Sequence, residues 1–115
     1  MLIKVSYLTG TELDYAVALA EGCVYGLPGT IHAFSPSTKW SQGGPIIERE
    51  KVVLSYGLGI RSNLWFAEKY QCYAAGRNTA SQQYGPTPLI AAMRCYVASK
   101  LGDTVEIPDE IGAKK

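Results

Sequence analysis

The sequence has few of the residues on which metal sites and covalent catalysis depend. It contains one histidine, His32, and three cysteines, Cys23, Cys72 and Cys95. The cysteines lie far apart and form no C-x-x-C pair, so the ligand spacing of a zinc site and the pattern of a disulfide framework are both missing. We therefore expect no metal, no cofactor and three reduced thiols, which is typical of a cytoplasmic protein.

Charge is also scarce and nearly balanced. Lys and Arg number 11 against 10 Asp and Glu, giving a formal net charge of +1. Proteins that hold nucleic acid mainly through its phosphates are expected to be strongly basic, so that kind of binding is disfavoured. No run approaches the ~20 apolar residues of a membrane-spanning helix, and the first residues lack a signal-peptide pattern. The sequence thus predicts a cytoplasmic protein with no membrane partner.

The motifs of common nucleotide-using enzymes are incomplete. Gly57-x-Gly59 would need a third glycine at position 62 to form the dinucleotide fingerprint, and Ser62 stands there. No glycine is followed by lysine, which excludes the P-loop. An enzyme would have to use Glu48 or His32 as its acid or base, and no constellation supports either. Binding is therefore favoured over catalysis.

With 47% hydrophobic residues, the chain can bury the core of one domain. We expect that domain to span residues 1–110, followed by a frayed tail at 111–115. Apolar residues at 2, 3 and 5 predict an opening strand. Thr9, with Glu12 three residues later, has the capping-box pattern of a helix start. Apolar residues at 13, 16, 17 and 20 then predict a helix that Gly22 ends.

A second helix is predicted near the carboxyl end. Thr87 is a good N-cap, Pro88 suits the first helical position, and Gly102 suits the stop. Residues 104–107 then predict a closing strand. Because glycine and proline interrupt residues 22–45, we predict a long loop there, and a second, polar loop at residues 74–86.

Between these loops, residues 46–54 fit either a strand pair or a helical turn followed by a strand, and residues 64–67 predict a buried strand. The predicted fold class is therefore α+β. Two helices pack on a small, mainly antiparallel sheet, and two long loops connect these elements.

The first loop carries the main candidate binding residues. Trp40 offers a flat stacking surface, and Ser37, Thr38 and Gln42 offer hydrogen bonds. Gly43 and Gly44 let the backbone approach a ligand closely. Together these groups are suited to a phosphorylated ribose and its base. A structural loop anchored by the tryptophan explains the same residues equally well.

Three further residues complete the candidate site. Arg49 and Thr87 are candidates for phosphate contacts, since Thr87 begins a helix whose free amides attract anions. Tyr84 leads into that helix from the second loop. The alternative for Arg49 is a solvated edge of screened charge pairs among residues 48–51. Arg94, inside the last helix, is expected to pair with a carboxylate at the edge of the core rather than with a ligand.

Three blocks of the sequence resemble a known family. They are LTGTELDYAVALAEG (8–22), SPSTKWSQGGPIIERE (35–50) and YGPTPLIAAMRCYVASKLGD (84–103). They look like the NinX-like phage proteins, a domain of unknown function in tailed phages and prophages. The resemblance implies an accessory protein made in the host bacterial cytoplasm during infection, and it transfers no catalytic residue.

Within that context we weigh binding functions. The first hypothesis is a counter-defence sponge that sequesters a small nucleotide-like signal of host immunity without catalysis. The alternative is an accessory protein that binds a host protein or nucleic acid. Half-apolar helices and eight tyrosines also predict a homo-oligomer.

Overall fold

The computed structural model describes residues 2–21, 35–57, 64–73 and 76–107. In chain order these form β1 (Leu2–Lys4), a 3-10 turn (Val5–Tyr7), α1 (Gly10–Ala20), α2 (Trp40–Glu50), β2 (Val53–Tyr56), β3 (Trp65–Tyr73), β4 (Gly76–Gly85), α3 (Pro88–Leu101) and β5 (Thr104–Glu106). The predictions made for Cys23, His32 and the tail at 111–115 lie outside the described residues.

Helix α1 begins where the sequence predicts it. Thr9 has the extended backbone of an N-cap, although its side chain makes no capping hydrogen bond. The stripe at Leu13, Ala16 and Val17 is completely buried. Burial of this face stabilises α1 through the hydrophobic effect, since an isolated helix of this length is marginal in water.

Helix α3 is the centre of the core. The side chain of Thr87 accepts a hydrogen bond from the amide of Ile90 at 3.1 Å, which confirms the predicted cap. Gly102 ends the helix with a φ of 92°, as predicted. Burial extends well beyond one stripe, because seven apolar residues between positions 89 and 97 are buried against the surrounding elements. Helix α3 contacts α1, α2 and the strands β2 to β5.

The strands form two antiparallel sheets. β1 pairs with β5, with Ile3 opposite Val105, so the two ends of the described chain lie together. The other sheet has the order β2-β3-β4, with Leu54 opposite Ala67 and a register irregularity between Lys69 and Tyr70. The α+β class and the antiparallel pairing are therefore confirmed.

The prediction of a loop up to residue 45 is wrong for its last part, because residues 40–50 form the helix α2. Gly43, Gly44 and Pro45 have low helix propensity, and Pro45 lacks the amide that would bond the preceding turn. Packing overrides propensity here, since Ile46 and Gly43 are buried. The described chain thus has three α-helices where two were predicted.

The predicted polar loop at residues 74–86 is also corrected, because residues 76–85 form the strand β4. Its polar composition is typical of a loop, but β4 pairs with β3 along its length. The backbone hydrogen bonds of an antiparallel hairpin do not depend on apolar side chains, which explains why composition misled the prediction.

Candidate functional site

A short turn before α2 is held from two directions. Within residues 35–39, the amides of Thr38 and Lys39 donate to the carbonyl of Ser35 at 3.1 and 2.9 Å. The Ser37 amide donates to the Asp14 carboxylate of α1 at 2.9 Å, and Gln42 of α2 accepts from the Ser35 amide. Burial raises the pKa of Asp14 above its ordinary value, against the opposing effect of Ser37. This turn therefore has a defined position relative to α1 and α2.

Gly43 brings three elements into close approach. A Cβ atom at this position would lie 2.3 Å from the carbonyl oxygen of Pro36 and 2.7 Å from a methyl group of Leu89. At the next position, a Cβ on Gly44 would meet only the Trp40 ring, at 3.8 Å. The missing side chain of Gly43 thus allows α2 to pack against both the 35–39 turn and α3.

These contacts form a groove between the 35–39 turn and the beginning of α3. The groove has a volume of about 260 Å³. Its lining comprises Ser37, Thr38, Trp40, Thr87, Pro88, Leu89 and Ile90. Trp40 is 55% exposed, so a large aromatic face is available there. We call this site the Trp40 groove.

The Trp40 groove is mostly apolar. Two of the three hydroxyls in its described lining have partners, since Thr38 Oγ1 donates to the Ser35 carbonyl at 3.4 Å and Thr87 Oγ1 accepts from Ile90. The third, Ser37 Oγ, is buried and makes no hydrogen bond within the described residues. Pro88 supplies no amide at the helix start. No lysine or arginine is among the lining residues that the structure describes. The groove is therefore suited to a flat ring with a few hydroxyl contacts, and it offers little charge to a phosphate.

The structure distributes the nine predicted site residues among different places. Ser37, Thr38, Trp40 and Thr87 meet at the Trp40 groove. Gln42, Gly43 and Gly44 lie beside it, where the first two support the turn. Arg49 follows Trp40 by nine residues of helix, about 13 Å along the axis of α2. Tyr84 lies in β4 with its ring 4.9 Å from that of Phe66, and it lines a second cavity.

Arg49 belongs to a cluster of charges that joins the three helices. Its guanidinium donates to Glu21 at 3.2 Å, to Glu50 at 2.8 Å and to the Tyr96 hydroxyl at 3.2 Å. Glu50 also pairs with Lys69 at 3.2 Å. Burial opposes ionisation of both glutamates, but hydrogen bonds from Arg49, Tyr96 and Lys69 outweigh it and lower the pKa of Glu21 and of Glu50. Arg49 thus has structural partners that account for its position.

This charge cluster predicts loss of stability in acid. Because the folded protein lowers the pKa of Glu21 and Glu50 below their ordinary 4.5, their contribution is complete above that value and disappears as the pH falls through the lower, folded pKa. Denaturant unfolding between pH 7 and 3 should therefore show a steeper loss in the natural protein than in a Glu21→Gln, Glu50→Gln double variant. Glu48→Gln, exposed on the same helix, is the matched control. An equal slope in all three proteins would contradict this assignment.

The partners of Arg94 differ from the predicted carboxylate. Arg94 makes no ion pair with any residue in the described part of the chain, so the expected partner carboxylate is absent there. Its Nε donates to the Leu8 carbonyl at 2.9 Å and its Nη1 to the Tyr84 carbonyl at 2.7 Å. The sequence signal was a cation between Met93 and Cys95, both completely buried. A cation at such a position predicts an ion pair, whereas its acceptors are backbone carbonyls.

Cys95 is a free, buried thiol, in agreement with the expectation that it is reduced. Burial raises its pKa to about 11, so the reactive thiolate is rare at neutral pH. Ser81 donates to the Cys95 carbonyl at 2.6 Å. Among the described residues no group of three or more His, Cys, Asp or Glu side chains is arranged to hold a metal ion. None of the described helices is long and apolar enough to cross a membrane.

A protein family matches most of the chain. No curated protein matches the chain. The family described as "Bacteriophage P22, NinX" matches residues 4–100, from the last residue of β1 to the last residue but one of α3. Among the described elements, β5 alone lies wholly outside the match. Because the match covers most of the chain, the protein belongs to this phage NinX family.

Proposed function

We propose that this phage accessory protein binds and sequesters a small nucleotide-like ligand in the cytoplasm of the infected host, without catalysis. The observation that carries the proposal is the Trp40 groove. Four residues chosen from the sequence for nucleotide binding, separated by up to 50 positions, line one cavity of about 260 Å³. That volume is slightly below the ~300 Å³ typical of the smallest ligand pockets, which suits one end of a ligand.

The chemistry of the groove indicates which end of the nucleotide it would take. Trp40 provides the stacking face, and stacking of a base on an aromatic side chain is worth about 1–3 kcal/mol. Pro88, Leu89 and Ile90 provide the opposite apolar wall. Thr38 and Thr87 provide hydroxyls at the ring edge or ribose. With no cation among its described lining residues, the groove favours the base, and the phosphate would extend towards solvent.

Native mass spectrometry tests the proposal directly. The protein would be purified from bacteria with and without active nucleotide-signalling defence systems. We expect an added mass that matches a nucleotide and is released unchanged on denaturation. The same spectra report whether the predicted homo-oligomer forms. A host protein or nucleic acid in place of the added mass would instead favour the alternative function.

Variants then test the groove itself. Titration with adenine and guanine monophosphates, cyclic monophosphates and cyclic dinucleotides should give an affinity that Trp40→Ala lowers about 5- to 150-fold, as the loss of one stacked base implies. Trp40→Phe should retain most of the affinity. Tyr56→Ala is the matched control, because Tyr56 is an aromatic residue of similar exposure, 58%, outside the groove. Equal affinity of the natural protein and Trp40→Ala would refute binding at the groove.

A further inference from the structure

A second cavity contains a buried cation with spare hydrogen-bond donors. Arg94 of α3 is only 8% exposed. A guanidinium has five N–H donors, and Arg94 uses one on the Leu8 carbonyl and one on the Tyr84 carbonyl. The remaining three make no hydrogen bond to any described residue. Buried donors of a charged group are costly to leave without acceptors, so this arrangement is poised for one more partner.

The charge of Arg94 is likewise unbalanced within the described chain. The described ion pairs join Glu21 and Glu50 to Arg49, Lys69 and Lys100, and none includes Arg94. Arginine remains protonated in proteins, so a buried guanidinium keeps its charge. Both hydrogen-bond acceptors of Arg94 within the described chain are neutral carbonyls. An acceptor that carries negative charge would therefore satisfy the donors and the charge at once.

The cavity beside Arg94 has the composition of an anion site. It has a volume of about 280 Å³ and is lined by Ser6, Tyr7, Leu64, Gln82, Gln83, Tyr84 and Arg94. No acidic side chain lines it within the described residues. The side-chain amide of Gln82 donates a hydrogen bond to the Glu68 carboxylate at 2.9 Å. The Gln83 side chain makes no hydrogen bond in the described part of the chain. Ser6, an exposed residue, adds a hydroxyl to the lining.

We propose that Arg94, with Gln83 and Ser6, binds a phosphate group of a small ligand in this cavity. A guanidinium matches the oxygens of a phosphate in a bidentate manner, and the glutamine amide and serine hydroxyl supply further donors to the same tetrahedral group. The backbone carbonyls of Leu8 and Tyr84 hold the guanidinium in place from the 3-10 turn region and from β4. None of these residues lines the Trp40 groove, so the site stands or fails independently of the proposed function.

The first measurement uses inorganic phosphate as the probe. Thermal unfolding would be followed with increasing phosphate, against sodium chloride at the same ionic strength and acetate as a carboxylate. We expect saturable stabilisation by phosphate alone, because a ligand that binds the folded state raises the midpoint. In a parallel NMR titration of the folded protein with phosphate, the Nε–H resonance of Arg94 should shift. Stabilisation no greater than that by chloride, with an unmoved Arg94 resonance, would overturn the proposal, and so would a response to acetate without one to phosphate.

Because replacing the buried Arg94 can itself impair folding, the first variant changes a neighbouring residue and keeps Arg94. Gln83→Glu puts a carboxylate in the cavity, where it should neutralise Arg94 and weaken phosphate binding at least tenfold. Arg94→Lys should weaken it similarly if the variant folds, because lysine cannot bind in the bidentate manner. Trp40→Ala is the control and should keep the full phosphate response. Undiminished phosphate binding by Gln83→Glu would refute the site even if nucleotides bind elsewhere.

Discussion

Replacing Gly43 by alanine is expected to destabilise the protein by about 3 kcal/mol, at the upper end of the cost of overpacking a core. The added methyl group would lie 2.3 Å from the Pro36 carbonyl oxygen, far inside contact distance. That oxygen is a backbone atom of a turn held by Asp14 and Gln42, so it cannot move aside cheaply. Urea unfolding followed by circular dichroism measures the change.

Gly44→Ala is the matched control for this prediction. It lies one residue further along the same helix, and its added methyl group would meet only the Trp40 ring at an ordinary 3.8 Å. Because alanine is the better helix former, we expect it to stabilise the protein by about 0.5–1 kcal/mol. Changes of the same sign and size at both glycines would show that the close approach at Gly43 is not what constrains α2.

Truncation of Tyr96 to alanine should have a still larger effect, a loss of about 3–5 kcal/mol. Tyr96 is 2% exposed in α3, and its ring packs in the core. Its hydroxyl donates to Glu21 just after α1 and accepts from Arg49 of α2. Since small domains have only about 5–15 kcal/mol of stability in total, we expect the variant to unfold well below the natural melting temperature. Differential scanning calorimetry measures the change.

Tyr96→Phe separates the contribution of the ring to stability from that of the hydroxyl. It keeps the buried ring and removes only the polar contacts, so the expected cost is about 1–2 kcal/mol. Glu21 and Arg49 remain paired with each other and partly exposed, which limits the cost of the lost hydroxyl. If phenylalanine were as destabilising as alanine, the polar contacts rather than core packing would hold α3 against α1 and α2.

The sequence predicts best the elements whose ends carry local signals. Thr87 and Gly102 bound α3 because a capping hydroxyl and a left-handed stop act within one turn of the helix. Helix α2 has no such signal: Lys39 precedes it without a side-chain cap, and Gly43 to Pro45 argue against it. Its existence depends on packing between residues distant in sequence, which no local pattern contains. Strand β4 was not predicted for a similar reason: its backbone hydrogen bonds come from its partner β3, which the local sequence of β4 does not show.

The candidate site was predictable only in part, because local sequence shows the chemistry of a residue but not its neighbours in the fold. Residues around the 35–39 turn and residues near Thr87 could be chosen by their chemistry, and the fold brings these two groups together. With residues 40–45 in a loop, as predicted, the chain could have brought Arg49 beside Trp40. In a helix it is displaced along the axis from Trp40, towards Glu21. The importance of Arg94 was not accessible either, since it depends on which carbonyls and side chains surround the guanidinium.

The hydrogen bonds from Ser37 to Asp14 and from Ser35 to Gln42 have a consequence for recognition. They fix the wall of the Trp40 groove through hydrogen bonds within the protein itself. A molecule that enters the groove then has little chain to order, and the conformational entropy normally lost on association has already been lost during folding. Such a preformed wall favours fast entry and selection by shape. It also means that the width of the groove depends on Asp14 of α1, a helix that contributes no residue to the described lining.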